Sequence, residues 1–415
     1  MDLVERLFGA NAGMVSDRDF RLLLAASATG ALGTALVSPI LDSLTGPFGV
    51  SPSVIGLMVT AVSAPAVVLI PVLGYVTDRL GRKPVIVGGL LCFGTGGVAI
   101  AFTTDFRLVL SLRVLQGIGF SGIIPVIITV LGDRYADNDE ATAQGLRFAT
   151  SGVSQAVFPA IAGIVIAFTW QFPFLLYGLA IPVAVAVAVT LEDVPGRTNR
   201  LNALSDSGYL GRLRRLAMRR KVLAYVLARG IVVLPFVAFL TYNSIIVVSL
   251  QDGTVRLAGL YVALFSVVYA MAATQVGRVV STFDRTAVPL ITANLLLGGG
   301  LVAFAMAGSS STALTAVFMM GIGVGFALSL YRTIITGLAP RELRGGLVSL
   351  TESFGRLIGT LTPLAIGFVL SRFEPAIGFD VALRGVVIVA GLLSVVVGTA
   401  SVLVARVSAV PTQTT

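Results

Sequence analysis

Apolar residues in this chain come in twelve long runs, each bounded by a short polar connection. The runs lie near residues 22–44, 54–77, 84–102, 108–131, 142–168 and 172–191, and then near 222–250, 257–276, 288–307, 313–338, 346–370 and 385–404. The hydrocarbon core of a bilayer is about 30 Å thick and a helix rises ~1.5 Å per residue, so a crossing needs about 20 apolar residues. Each run is long enough to be one membrane-spanning helix. The pattern predicts an all-α integral membrane protein with twelve transmembrane helices, six before and six after the segment 192–221. That segment contains Pro195, Gly196 and eight basic residues, including Arg212, Arg214, Arg215, Arg219, Arg220 and Lys221. It reads as a linker between an N-terminal six-helix bundle, 1–191, and a C-terminal one, 222–415.

Composition agrees with the pattern. Only 12% of the 415 residues are charged and 56% are apolar, whereas a soluble domain is about one quarter charged. The net charge of +9 points to a nucleic-acid partner only if it gathers on one face, and here it is spread through short loops, so none is expected. With the N-terminus in the cytoplasm, 20 of the 29 basic residues fall on the cytoplasmic side and 4 outside. The positive-inside bias then predicts a multi-pass cell-membrane protein with both termini and the linker cytoplasmic. The basic linker sets topology in this reading and touches anionic lipid. His is absent and Cys92 is the only thiol, which leaves no histidine relay, no disulfide framework and no CxxC site; no metal and no cofactor are expected. Residues before the first run lack the apolar core of a cleaved signal peptide. Leu3, Val4, Leu7 and Phe8 are spaced for a short helix on the membrane surface.

The two halves repeat one another. Gly117-Ile-Gly119 recurs as Gly321-Ile-Gly323, and Pro159-Ala-Ile-Ala-Gly163 recurs as Pro363-Leu-Ala-Ile-Gly367, both at an offset of 204 residues. Gly74 and Arg82 match Gly277 and Arg285 at an offset of 203. Three landmarks in nearly one register predict a duplicated six-helix unit.

The connection after the second run reads Gly74-Tyr-Val-Thr-Asp78-Arg79-Leu-Gly81-Arg82-Lys83-Pro84. It closely resembles the G-x-x-x-D-R-x-G-R-K loop of the major facilitator superfamily. The resemblance implies two pseudo-symmetric six-helix bundles. In that family the acid meets a neighbouring arginine and the positive N-terminus of the eleventh helix, so Asp78 would latch the cytoplasmic side, flanked by Arg79, Arg82 and Lys83. Read alone, these three basic residues are also ordinary topogenic charges. In the fourth run, Arg113-Val-Leu-Gln116-Gly117-Ile-Gly119 is similar to the R-x-x-Q-G-x-G motif of the same family, which ties its arginine to substrate or proton coupling. At roughly 8 Å inside the span, Arg113 also has the option of snorkelling to the interface. On the fifth run, Gly145, Ala149, Gly152, Ala156, Pro159 and Gly163 form a small-residue stripe suited to close helix packing. The twelve-span drug:H+ antiporter branch carries G-P-x-x-G-G there, and Phe158-Pro159-Ala-Ile-Ala-Gly163 departs from it by lacking the first Gly. Gly359, Pro363 and Gly367 are the matching packing positions on the eleventh run. Trp170-Gln-Phe-Pro-Phe174 also resembles a family segment, and serves equally as an interfacial aromatic anchor.

Ionisable residues inside spans are the main functional candidates, because each costs about 2.5–3.5 kcal/mol at mid-span and tends to face a cavity. Glu352 and Arg356 lie one turn apart on the eleventh run, at depths of ~9 and ~15 Å, and that spacing allows contact. Arg147 and Arg332 are embedded nearer the cytoplasm. The readings left open are a structural pair of Glu352 with Arg356 or Arg332, and a coupling acid beside a cationic substrate site. Gln155, Tyr242, Asn243 and Asn294 supply either polar contacts or helix–helix hydrogen bonds. The chain has no Ser-His-Asp set and no phosphate loop, and is read as a transporter, not an enzyme. The leading expectation is proton-coupled efflux of drugs or hydrophobic compounds by a monomer in lipid. The rival is uptake or exchange of an organic anion, favoured by embedded arginines outnumbering acids. A receptor or scramblase on the same scaffold is a third reading, disfavoured by the latch motif.

Overall fold

The computed structural model describes residues 13–135, 137–192, 209–276, 287–340 and 343–407, and among them every regular element is helical. The surface helix expected over 3–8, the linker's Gly196 and the repeat positions Gly277 and Arg285 lie outside the described residues. Eleven helices are long and apolar enough to cross a membrane: Pro52–Ile70, Arg82–Ile100, Phe106–Arg134, Ala143–Val165, Phe172–Thr190, Arg220–Leu250, Val255–Ala273, Ala287–Ala305, Ser310–Leu338, Gly346–Ile377 and Phe379–Ala405. They are numbered here as spans two to twelve, and they coincide with the predicted runs after the first.

The first run departs from the expectation of one continuous helix. It begins as a helix at Arg18–Gly30, capped by the Asp17 carboxylate, then proceeds through Leu32–Ala35 and two 3₁₀ turns, Ser38–Ile40 and Asp42–Leu44. Pro39 lacks an N–H and its ring crowds the carbonyl four residues back, so the regular ladder cannot pass through it. The backbone stays right-handed as far as Phe48 and stops at Gly49, whose φ of 63° only glycine adopts cheaply. This interrupted segment is the first span.

Packing follows the repeat. Span three packs on four as nine packs on ten, two on four as eight on ten, and three on six as nine on twelve. The repeated glycines occupy matching contacts. A Cβ on Gly119 would collide with Gly89 and Phe93 of span three, and one on Gly323 with Ala293 and Leu297 of span nine. Those partners are themselves 204 residues apart, so the duplication is written into the contacts as well as the sequence. The halves meet most extensively along two seams, span two with span eleven and span five with span eight, which the repeat also interchanges, and the Ser38–Ile40 turn of span one packs on spans seven and eight.

Within the linker, Tyr209–Ala217 forms a helix. Leu216 is buried and Leu213 packs on the core, while Arg214 and Arg215 are exposed.

Candidate functional site

The family-like loop sits where span two turns into span three. Gly81 there has φ 85°, a conformation that disfavours any side chain. Arg82 follows it, buried, donating to the Thr129 carbonyl at 3.1 Å and ion-paired with Asp133 at the end of span four. The loop's arginine thus ties spans three and four. The side chains of Gly74, Asp78 and Arg79 lie outside the described residues. Lys83 is half-buried beside Arg82. The membrane face carrying this loop is called the motif end below.

At the motif end a second ionic cluster gathers spans one, four and six. Arg134 pairs with Asp19 at 2.9 Å and approaches Asp17 at 3.8 Å, and Arg18 donates to the Thr190 carbonyl at 2.9 Å. Tyr135 donates to Asp17; burial, and then the Asp17 charge, push its hydroxyl up to about 12, so it remains a donor.

Arg113 does not snorkel. Its side chain is fully buried, with Nε donating to the Met58 carbonyl at 3.0 Å, Nη1 to Gln116 at 2.8 Å and Tyr177 at 3.1 Å, and Nη2 to the Gly33 carbonyl at 3.1 Å. Tyr177 donates in turn to that carbonyl and to the neighbouring one of Leu32, which also keeps its helical bond from the Leu36 N–H. Gln116 uses its amide on the Phe93 carbonyl. The guanidinium therefore holds spans one, two and four through carbonyl dipoles and span six through the Tyr177 hydroxyl, with no carboxylate among its described partners.

The embedded acid and its cations assemble in the second half. Glu352 of span eleven accepts from Arg229 of span seven, with Nη2 3.1 Å from both carboxylate oxygens, and from Arg332 of span ten at 3.0 Å. The expected contact with Arg356 is not made: a carboxylate has room for few fork-like partners, and two long arginines from facing helices take it first. Arg356 instead lies over the Phe120 ring of span four, 5.8 Å from its centroid, a cation–π contact between the halves. Arg229, Arg332, Ile335, Val348, Thr351 and Glu352 line a small, open recess. The Nη1 of Arg229 is buried there without a hydrogen-bond partner. Sequence reasoning passed over Arg229, although the rule that flags embedded ions applies to it within the run 222–250; its membership of the site follows only from helix packing.

The remaining candidates are scattered. Arg147 is buried and donates to Gln144 on its own helix at 3.1 Å. Gln155 donates weakly to Ser151, while its backbone carbonyl accepts from Ser266 of span eight. Tyr242 bonds the Pro363 carbonyl, Asn243 the Ala258 carbonyl and Asn294 the Tyr331 hydroxyl, all helix-to-helix bonds. The stripe on span five works over part of its length. A Cβ on Gly163 would sit 3.0 Å from the Val255 carbonyl and one on Gly259 2.7 Å from that of Pro159, but Gly152 meets only Ala270 at 3.7 Å and Gly145 faces open space. On span eleven, Gly367 abuts the Ser53 carbonyl and Gly359 packs on Val233 and Val237 of span seven. The tightest of these contacts between halves therefore cluster at the end opposite the motif loop.

Comparison with known proteins places this geometry. The sequence pattern described as Major Facilitator Superfamily matches residues 23–252 and again 235–414. The bacillibactin exporter of Bacillus subtilis (strain 168) is 33% identical over 150 residues, 34% of this chain and 37% of that protein. In the first such relatives the match spans about a third of their own length. The quinolone resistance protein NorA of Staphylococcus aureus (strain MRSA252) is 24% identical over 365 residues, 86% of this chain and 92% of that one. A solved bacterial homolog of the human lysosomal transporter Spinster, inward-facing and unoccupied, superposes with a TM-score of 0.81 at 16% identity, covering 94% of this chain and 98% of its own; that likeness shows the fold. With the family pattern met in both halves and the repeat realised in matching helix contacts, the chain belongs to the major facilitator superfamily.

Proposed function

We propose that this protein is a proton-coupled exporter of small, largely apolar compounds that works by alternating access in the cell membrane. The observation that carries the reading is Glu352: one embedded acid on span eleven, held by arginines of spans seven and ten. While ionised, it pairs with both guanidiniums and neutralises one of their two positive charges. A proton on the carboxylate removes that neutralisation and loosens three helices at once, so its protonation and their packing are linked. The small-residue stripe supports a second arrangement. It is closed at Gly163 and open at Gly145, a surface left for the halves to meet when the motif end shuts. In this reading the bundles 1–191 and 222–415 rock about the two seams, the termini and linker face the cytoplasm, Asp78 latches the motif end, and a monomer suffices. The apolar Ile335 and Val348 beside the ion cluster, and the similarity to a quinolone resistance protein and a bacillibactin exporter, support the substrate class.

The test is a reconstituted vesicle with an imposed pH gradient and a panel of apolar dyes, quinolones and organic anions. Gradient-driven dye or quinolone movement that Glu352→Gln abolishes supports export. A second reading, uptake or exchange of an organic anion, is favoured by the buried unpartnered Nη1 of Arg229 and by the two arginines that face one acid. Anion exchange in the panel without dye movement replaces the first reading by the second.

A further inference from the structure

We propose that the exposed basic surface at the head of span seven is a binding site for the phosphate headgroups of anionic phospholipid. Its residues are Arg214 and Arg215 on the helix Tyr209–Ala217, followed by Arg219 and Arg220. Three observations converge on it. First, all four side chains are exposed, and none makes a side-chain hydrogen bond or ion pair to a described residue. Residues 209–221 contain no acid.

Second, the helix is fastened by its apolar side. Leu216 is buried, Leu213 packs on the core, and the helix touches spans seven and eleven. The arginines are therefore presented outward on a fixed support, not on a wandering loop. Third, only Met218 and Arg219 separate the helix from the start of span seven at Arg220. Such a connection reaches at most about 11 Å, and a headgroup layer is about 5–8 Å deep. Long arginine stems cover what remains. The guanidiniums thus lie at headgroup depth, which selects a lipid phosphate over a soluble one. Through spans seven and eleven, which carry Arg229 and Glu352, the charge of the leaflet acts on the same helices as the proton.

The experiment uses the full chain with Cys92→Ser and Met218→Cys, since Met218 is 64% exposed, labelled with a fluorophore and reconstituted in vesicles. Quenching by brominated phosphatidylglycerol is compared with quenching by brominated phosphatidylcholine in equal amounts. Near a membrane surface each basic residue favours anionic lipid roughly fivefold, so at least about a tenfold enrichment of the anionic lipid is expected. The preference should collapse in 1 M salt, where screening acts within about 3 Å. Arg214, Arg215, Arg219 and Arg220 changed together to Gln should abolish it, and the same four changed to Lys should retain it. The salt titration needs no variant, so poor insertion of the Gln form leaves the proposal open to refutation. Equal quenching by the two lipids overturns it. So does a preference that survives in the Gln form, or one that millimolar inorganic phosphate displaces, which would make the ligand a free anion.

Discussion

Gly367→Ala is the most direct test of the closed seam between spans two and eleven. A Cβ built there lies 2.5 Å from the carbonyl oxygen of Ser53, about 0.9 Å short of ordinary contact. The obstacle is backbone, so no rotamer change relieves it. Overpacking of this kind costs about 1–3 kcal/mol, and the cost exists only while the two spans touch. If the seam opens in a second conformation, the population of that conformation rises by about 5- to 150-fold. Thr241 is fully buried in span seven and its methyl lies 3.4 Å from a Cβ built on Gly56 of span two, at the same end of the seam. Thr241→Cys on a Cys92→Ser background therefore reports opening, read as the rate of modification by a membrane-impermeant maleimide. The rate should rise within that range in Gly367→Ala. Gly259→Ala, on the other seam, should add to it, because the two sites share no partners. A rate within twofold of the parent, in protein of unchanged thermal stability, would refute the argument that this seam parts.

Glu352→Gln should abolish proton-driven movement in vesicles while leaving exchange down a substrate gradient. Its stability loss should fall at or below the lower end of the roughly 3–5 kcal/mol for a broken buried pair, because Glu352 is 35% and Arg332 49% exposed. Arg113→Met should destabilise the first half by about 3 kcal/mol or more, measured by chemical unfolding in detergent, since several buried acceptors lose their donor together. Asp78→Asn should raise cysteine accessibility at the motif end without reducing insertion; unchanged accessibility and transport would reduce that residue to topology. Reporters at Gly196 and Gly253 should be reached from opposite sides of the membrane, and finding both on one side would sink the span count.

The number and placement of the crossings were legible in the sequence, because the cost of leaving backbone polar groups unpaired in lipid forces every apolar run of sufficient length into a helix. The duplication was legible too, since a larger side chain is costly at a close helix approach and glycine stands at such approaches at Gly117, Gly119, Gly163 and their counterparts. Arg82 stood out as part of a loop motif, and Arg113 and Glu352 as ions in costly places. Most of their partners did not. One-dimensional spacing offered Glu352 either Arg356, its neighbour by one turn, or Arg332; the carboxylate takes Arg332 together with Arg229, 123 residues away, which spacing did not suggest. Likewise, an apolar run cannot announce that Pro39 will break span one and that the carbonyls of Leu32 and Gly33 will receive Arg113 and Tyr177. Insertion into the membrane is a property of each segment and its own hydrophobicity. The partner of a buried charge is set by which helix faces pack together, and that choice belongs to the whole fold.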